Sequence, residues 1–195
     1  MLLAWAALAL ALAYRYGLRL MLGAGLLLAM SYLAAFFTAR FGYHWADFGD
    51  RPENFLLLGG CLFVLPLWVK HRQHAEFVPV YRLVGALTFF AALFSVASTG
   101  VPTYLPWTVE TVERVYGIAG LWLSAGAIWL GVARGWRGVA NTGTWFFVAF
   151  LFLRLFQWLW DEMPRYAFFA LIGALSVALV MAFQQMRTRM AGVRP

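Results

Sequence analysis

The sequence predicts an all-α fold, a polytopic bundle of transmembrane helices, on three observations. Hydrophobic residues make up 64% of the 195 residues, charged residues make up 12%, and the mean hydropathy is +0.75. Soluble domains, by contrast, are about 45–50% apolar and about 25% charged. Long uncharged runs recur along the chain, and basic residues concentrate in alternate loops. This composition excludes a soluble globular protein and a disordered chain, and the single Cys61 excludes a disulfide scaffold.

The first three spans are expected near 1–14, 20–39 and 55–69, since crossing roughly 30 Å of hydrocarbon takes about 20 apolar residues. The first run is short and has no basic region before it, so a cleaved signal peptide is not indicated. We expect a thin or tilted span there, or the end of a longer segment. The third run contains Pro66, which should kink or end its helix.

The other four spans are expected near 83–99, 115–133, 139–160 and 166–186. The fourth should stop near Thr99, because two prolines and a glycine follow in 100–109. The sixth should continue past Arg154, because the residues after it stay apolar and aromatic. The sequence therefore predicts about seven spans in a single integral membrane domain, 1–195.

Charge distribution predicts the orientation. With seven spans, one set of loops and the C-terminal tail carry ten basic residues and one acid, and the other set carries four basic residues and seven acids. Basic loops are retained in the cytoplasm. The N-terminus is therefore expected outside and the C-terminus inside. Because topology alone explains the basic residues, no nucleic-acid partner is predicted.

Tryptophans follow the same layout. Amphipathic indole rings prefer the level of the lipid headgroups, and most tryptophans of this chain fall near the ends of the predicted spans. Three lie deeper, namely Trp5, Trp122 and Trp129.

Small residues predict how the helices pack, because they let helices approach closely inside lipid. In the fifth span they follow spacings of three and four, which form a groove along one helix face: Gly117, Gly120, Ser124, Ala127 and Gly131. We expect this helix to be the most enclosed of the seven. The groove fits a seam inside the bundle, or alternatively a contact with another chain or a narrow pore.

A candidate metal site lies in the second loop. His44, Asp47, Asp50 and Glu53 recur at every third residue and could converge on a divalent ion. Gly49 in the same segment argues against a continuous helix, so a solvated loop is the alternative.

Arg154 is the one charged residue well inside a predicted span. It could extend its guanidinium to the outer interface, bind a substrate, or act as a structural anchor that pairs with an acid. Asp161 is the nearest acid in sequence, seven residues on and on nearly the same helix face.

Motifs for catalysis are absent from the sequence. No nucleotide-binding loop, HExxH, GxSxG or CxxC motif occurs. No Asp, Glu, Lys or His lies in the middle of a predicted span, where proton-coupled transporters usually place such groups. The sequence thus predicts no cofactor and no catalytic residue, and it favours a protein that is not an enzyme.

The second half resembles a known family. A basic turn (RGWRG), then VANTGTWFFVAFLFLRLFQWLWDEMPR, then FFALIGALSVALVMAFQQMRTRM is similar to the C-terminal membrane part of a bacterial family of membrane proteins, domain of unknown function 2157. VYRLVGALTFFAALFSVASTG is similar to an earlier span of that family. The resemblance covers roughly residues 50–190. It implies a multi-pass helical membrane protein, and it supplies neither a reaction nor site residues.

Three functions fit these observations. The first is a non-catalytic subunit or scaffold that packs against other membrane proteins, or against itself, in the lipid bilayer. The second is a passive or facilitated carrier of a small or amphipathic solute, which would need a polar path. The third is an enzyme acting on lipid at the outer face through His44 and its neighbouring acids. We expect the bacterial inner membrane in each case.

Overall fold

The computed structural model describes residues 1–40, 44, 51–68, 75–100, 106–159 and 164–191, with the backbone alone at 75, 179, 182, 183 and 185–191. Throughout these residues the secondary structure is helical, without strands. A single 3₁₀ turn, Ala75–Phe77, precedes the fourth helix. The seven α-helices are α1 (Leu2–Tyr16), α2 (Arg19–Arg40), α3 (Glu53–Trp68), α4 (Val78–Thr99), α5 (Val109–Ala133), α6 (Arg137–Leu159) and α7 (Arg165–Ala191).

Four of these helices are long and apolar enough to cross a membrane, namely α2, α4, α5 and α6. Shorter apolar helices are α1, α3 and the segment Arg165–Ala178 of α7. The prediction of an all-α fold is confirmed, and the length and composition of four helices agree with the prediction of membrane spans.

Two helices begin five or six residues earlier than the uncharged runs indicated. The α4 helix starts at Val78, before Arg82, and has a proline in its first turn. Proline fits there because the backbone N–H that it lacks would have no acceptor within the helix. The α5 helix starts at Val109, where the Thr108 side chain accepts a hydrogen bond from the backbone N–H of Thr111 at 3.4 Å. Charged residues are tolerated in the first two turns of these helices, so they did not mark the helix ends.

The chain divides into two compact units, residues 1–150 and 151–195. In the first unit α4 is the most enclosed of the long helices, with nine buried residues against seven in α2 and five in α5. The expectation that the fifth helix would be the most enclosed is therefore wrong. Small residues on α5 permit a close approach on one face, whereas its other face stays exposed at Trp122 and Trp129.

A hydrophobic cluster joins α1, α2 and α4 near the turn between α1 and α2. At its edge the hydroxyl oxygens of Tyr14 and Tyr81 are 2.8 Å apart, and Phe77 meets Tyr14 edge to face. The buried residues of the cluster are Ala13, Leu22, Leu26, Met30, Phe77, Tyr81 and Val84.

The α3 and α4 helices cross with their backbones in contact. A Cβ atom built on Gly59 would lie 2.7 Å from the backbone nitrogen of Phe89, and one built on Gly85 would lie 2.6 Å from that of Phe63. Neither position has room for a side chain. The crossing therefore depends on glycine in both helices.

The second unit contains the end of α6 and all of α7. Its one fully buried large side chain among the described residues is Phe168, which packs edge to face against Phe156, with ring centroids 5.9 Å apart. Phe168 also contacts Phe169 on its own helix. Aromatic packing thus connects the last turns of α6 to the first turns of α7.

Candidate functional site

Polar side chains gather at the end of the first unit where α2 ends and where α3 and α5 begin. The Tyr116 hydroxyl donates to Oε1 of Glu53 at 3.0 Å, which connects α5 to the first turn of α3. Asn54 Nδ2 donates to Oγ1 of Thr38 at 3.1 Å, which connects α3 to the end of α2. Arg51, which precedes Glu53 by two residues in the sequence, is also buried, with 9% of its surface exposed. We call these five residues the polar cluster.

Hydrogen bonds within the polar cluster join three helices. The Thr38 hydroxyl accepts a hydrogen bond from Asn54 and donates one to the carbonyl oxygen of Ala34 at 2.9 Å, so it acts as both acceptor and donor. Both Thr38 and Asn54 are buried. Buried polar groups are stable when they are hydrogen-bonded to one another. The geometry is that of a structural connection between helices.

The candidate metal ligands are only partly described. His44 is exposed, Glu53 accepts the hydrogen bond from Tyr116, and Asp47 and Asp50 lie outside the described residues. Within the described part of the chain no three such side chains converge on a point. A divalent-ion site at these four residues stays a prediction.

Arg154 is buried in α6, with 4% of its surface exposed. Its Nη1 donates to Oε1 of Gln157 at 3.0 Å, and its guanidinium carbon lies 5.7 Å from the centre of the Trp158 ring. Both contacts are with side chains on the same helix, one turn later. Asp161, the expected acidic partner, lies outside the described residues, so that ion pair stays a prediction. The burial favours an anchoring role over an arginine extended to the headgroups.

The small-residue groove of α5 is occupied by α6. The ring of Phe150 lies directly over Gly120, and the backbone of Ala140 lies against Gly131. Between these two contacts, a Cβ built on Gly143 of α6 would lie 3.0 Å from the carbonyl oxygen of Ser124 and 3.1 Å from Cβ of Ala127. Gly117 is also buried. The structure therefore places four of the five predicted packing residues, Gly120, Ser124, Ala127 and Gly131, along an intrachain seam.

Sequence reasoning missed most of the polar cluster. Glu53 was considered only as a metal ligand, and Tyr116, Thr38 and Asn54 were not considered at all. Tyr116 and Glu53 are 63 positions apart, and no periodicity within one helix relates them. A signal was nevertheless present, because Asn54 and Thr38 are polar residues at the apolar ends of two consecutive helices.

Comparisons with known protein families, with curated proteins and with solved structures gave no match to this chain.

Proposed function

We propose that this chain is a non-catalytic, multi-pass membrane subunit that packs against other membrane proteins or against a second copy of itself. We further propose that all seven helices cross a bacterial inner membrane, with the N-terminus outside and the C-terminus in the cytoplasm. The ten-to-four division of basic residues supports this orientation.

The observation that carries this proposal is the side of α5 that is exposed at Trp122 and Trp129. Trp122 is near the middle of α5 and its side chain is 76% exposed. Within the described residues its indole N–H has no acceptor, and such a donor is costly in hydrocarbon. Trp129 lies seven positions on, on the same face, and is also exposed. A neighbouring protein can supply an acceptor and ring contacts that lipid tails cannot.

Gly126 lies between the two tryptophans on this face. A Cβ atom built there would meet nothing within 4 Å, so the fold of this chain does not require glycine at that position. Glycine inside a helix is disfavoured relative to alanine by about 0.8–1.0 kcal/mol in host peptides. An exposed glycine flanked by aromatic residues suits the close approach of a helix from another chain.

The hydroxyl groups of the long helices argue against a carrier with a polar path. Ser31, Ser124 and Ser176 each donate to a backbone carbonyl three or four residues earlier in their own helix. Each of these hydroxyls has already used its one donor, so it could only accept a hydrogen bond from a solute. The carrier and the lipid-acting enzyme therefore have less support than the subunit.

A photo-crosslinking amino acid placed at position 122, in cells expressing the full chain, tests the proposal. We expect a discrete crosslinked product and co-purification of the same protein at a fixed ratio in mild detergent. Gly126→Leu should abolish both, because its side chain fills the space that the partner helix would occupy.

Trp145 on α6 supplies the control, since its side chain is 77% exposed but no glycine lies three or four positions from it to admit a second helix. The same crosslinker at position 145 should give only lipid adducts or a diffuse pattern. Equal products at 122 and 145, or a Gly126→Leu variant that crosslinks like the wild type, would refute the subunit proposal.

A further inference from the structure

Two arginines approach one tryptophan at the end of the first unit where α4 and α6 begin. The guanidinium carbon of Arg82 lies 3.7 Å from the centre of the Trp136 ring, and that of Arg134 lies 5.6 Å from the same centre. Phe63 of α3 holds the ring from its edge, with centroids 6.3 Å apart. The indole is therefore fixed by α3, α4 and the turn between α5 and α6.

These two arginines have no acidic counterpart in the described part of the chain. Glu76, the described acid at this end of the unit, pairs with Arg19 at 3.1 Å. The remaining described acids begin α3 and α5, at the opposite end. Two positive charges beside one aromatic ring repel each other, and an anion bound between them would offset this repulsion.

Arg82 contacts an aromatic ring and has no hydrogen-bond acceptor among the described residues. Its Nε is buried and donates to no acceptor among the described residues. The guanidinium carbon lies over the indole ring, 3.7 Å from its centre, and no described residue accepts a hydrogen bond from the Arg82 side chain. A planar fork of this kind matches the oxygens of a phosphate group.

We propose that Arg82 and Arg134, arranged on the Trp136 ring, form a binding site for a phosphate group such as that of an anionic phospholipid headgroup. Under the orientation proposed above this end of the helices is cytoplasmic, where basic pockets bind anionic headgroups, so the position suits a lipid. The net positive charge of the pair favours an anionic lipid over a zwitterionic one. This site is separate from the exposed face of α5, so it can exist whether or not that face binds a partner.

Thermal unfolding of the full chain, purified in a maltoside detergent that contains no phosphate, tests the site. Phosphatidylglycerol, phosphatidylcholine and inorganic phosphate are titrated separately, and each apparent affinity is taken from the shift in unfolding midpoint. We expect phosphatidylglycerol to stabilise the wild type most. Arg82→Gln and Arg134→Gln should each weaken its apparent affinity by about tenfold or more, as for the loss of a charged hydrogen bond.

Arg15→Gln is the matched control, because it removes the same charge from the same end of the unit. Arg15 makes no described contact with Trp136, so its substitution should change the affinity less than about twofold, the effect of a distant, screened charge. Arg82→Lys separates charge from geometry, and we expect it to weaken binding although the charge is kept. If Arg15→Gln weakens binding as much as Arg82→Gln does, the attraction is diffuse and the site is refuted.

The source of the phosphate is distinguished in the same titrations. Stabilisation by inorganic phosphate alone, lost in Arg134→Gln, would support the site and identify a soluble phosphate as its ligand. Stabilisation by phosphatidylglycerol alone identifies a lipid. No dependence on either arginine would overturn the proposal. Because Arg134 is exposed, its substitution should leave the fold intact even if Arg82→Gln does not fold.

Discussion

Gly59 and Gly85 face each other at the crossing of α3 and α4, and a Cβ atom added to either one would lie 2.9 Å from the carbonyl oxygen of the other. The relationship is reciprocal, so a side chain at either position would push the two backbones apart. Backbone cannot move aside as a flexible side chain can, and this crossing should tolerate substitution poorly.

Gly59→Ala should destabilise the protein by about 1–3 kcal/mol, the usual cost of overpacking. Its neighbour on the same helix, Gly60, provides the control, since a Cβ there would meet only Cδ2 of Phe89, at 3.9 Å. We expect Gly60→Ala to be neutral or stabilising by up to about 1 kcal/mol, from helix propensity. The unfolding midpoints in detergent, followed by circular dichroism, compare the two. Equal midpoints would show that the helices are not in backbone contact.

Gly120→Leu should destabilise the seam between α5 and α6, because the Phe150 ring occupies the space that the new side chain needs. A loss of about 1–3 kcal/mol is expected. A Cβ atom on Gly126 of the same helix would meet no atom within 4 Å, so Gly126→Leu should be neutral or stabilising by up to about 1 kcal/mol in the isolated chain, from helix propensity. A stable Gly120→Leu variant would contradict the placement of Phe150.

Tyr116→Phe removes one hydroxyl and leaves the Glu53 carboxylate without that donor. Hydrogen bonds to charged groups contribute about 1.5–3 kcal/mol, so we expect a loss of that order in the free energy of unfolding. Tyr166→Phe is the comparison, because Tyr166 is exposed and has no described hydrogen bond. If both variants unfold at the same midpoint, the polar cluster contributes nothing to stability.

Arg154 and Gln157 should be energetically coupled. Arg154→Leu leaves the Gln157 amide oxygen without the donor it has at 3.0 Å, and a double-mutant cycle with Gln157→Leu isolates the pair. We expect a coupling free energy of about 0.5–3 kcal/mol. Additive effects of the two substitutions would show that Arg154 is stabilised by other groups, with the predicted ion pair to Asp161 as the next one to test.

The orientation can be tested with cysteines in two loops, after Cys61, which is exposed, has been replaced. We expect an impermeant thiol reagent added to intact cells to label positions in 40–53 and to leave 134–138 unlabelled. Disruption of the membrane should make both accessible. Labelling restricted to 134–138 would reverse the proposed orientation.

Sequence patterns located the helices because apolar runs and charged boundaries are local properties. They predicted the interrupted segment after Thr99, and Gly100 does end α4 with a left-handed φ of 60°. They indicated a packing face on α5 without identifying α6 as its partner. Gly59 was missed, because a single glycine in an apolar run becomes informative only when the helix that crosses it is known.

Short turns constrain how this protein is made. Only Gly17 and Leu18 separate α1 from α2, and only 134–136 separate α5 from α6. Linkers of two and three residues hold the ends of both helices together from the moment the second helix leaves the ribosome. If both helices cross the bilayer, each pair is suited to enter it as a helical hairpin. Synthesis would then proceed in two-helix steps at both places, and a ribosome stalled within α2 or α6 would leave α1 or α5 without its hairpin partner.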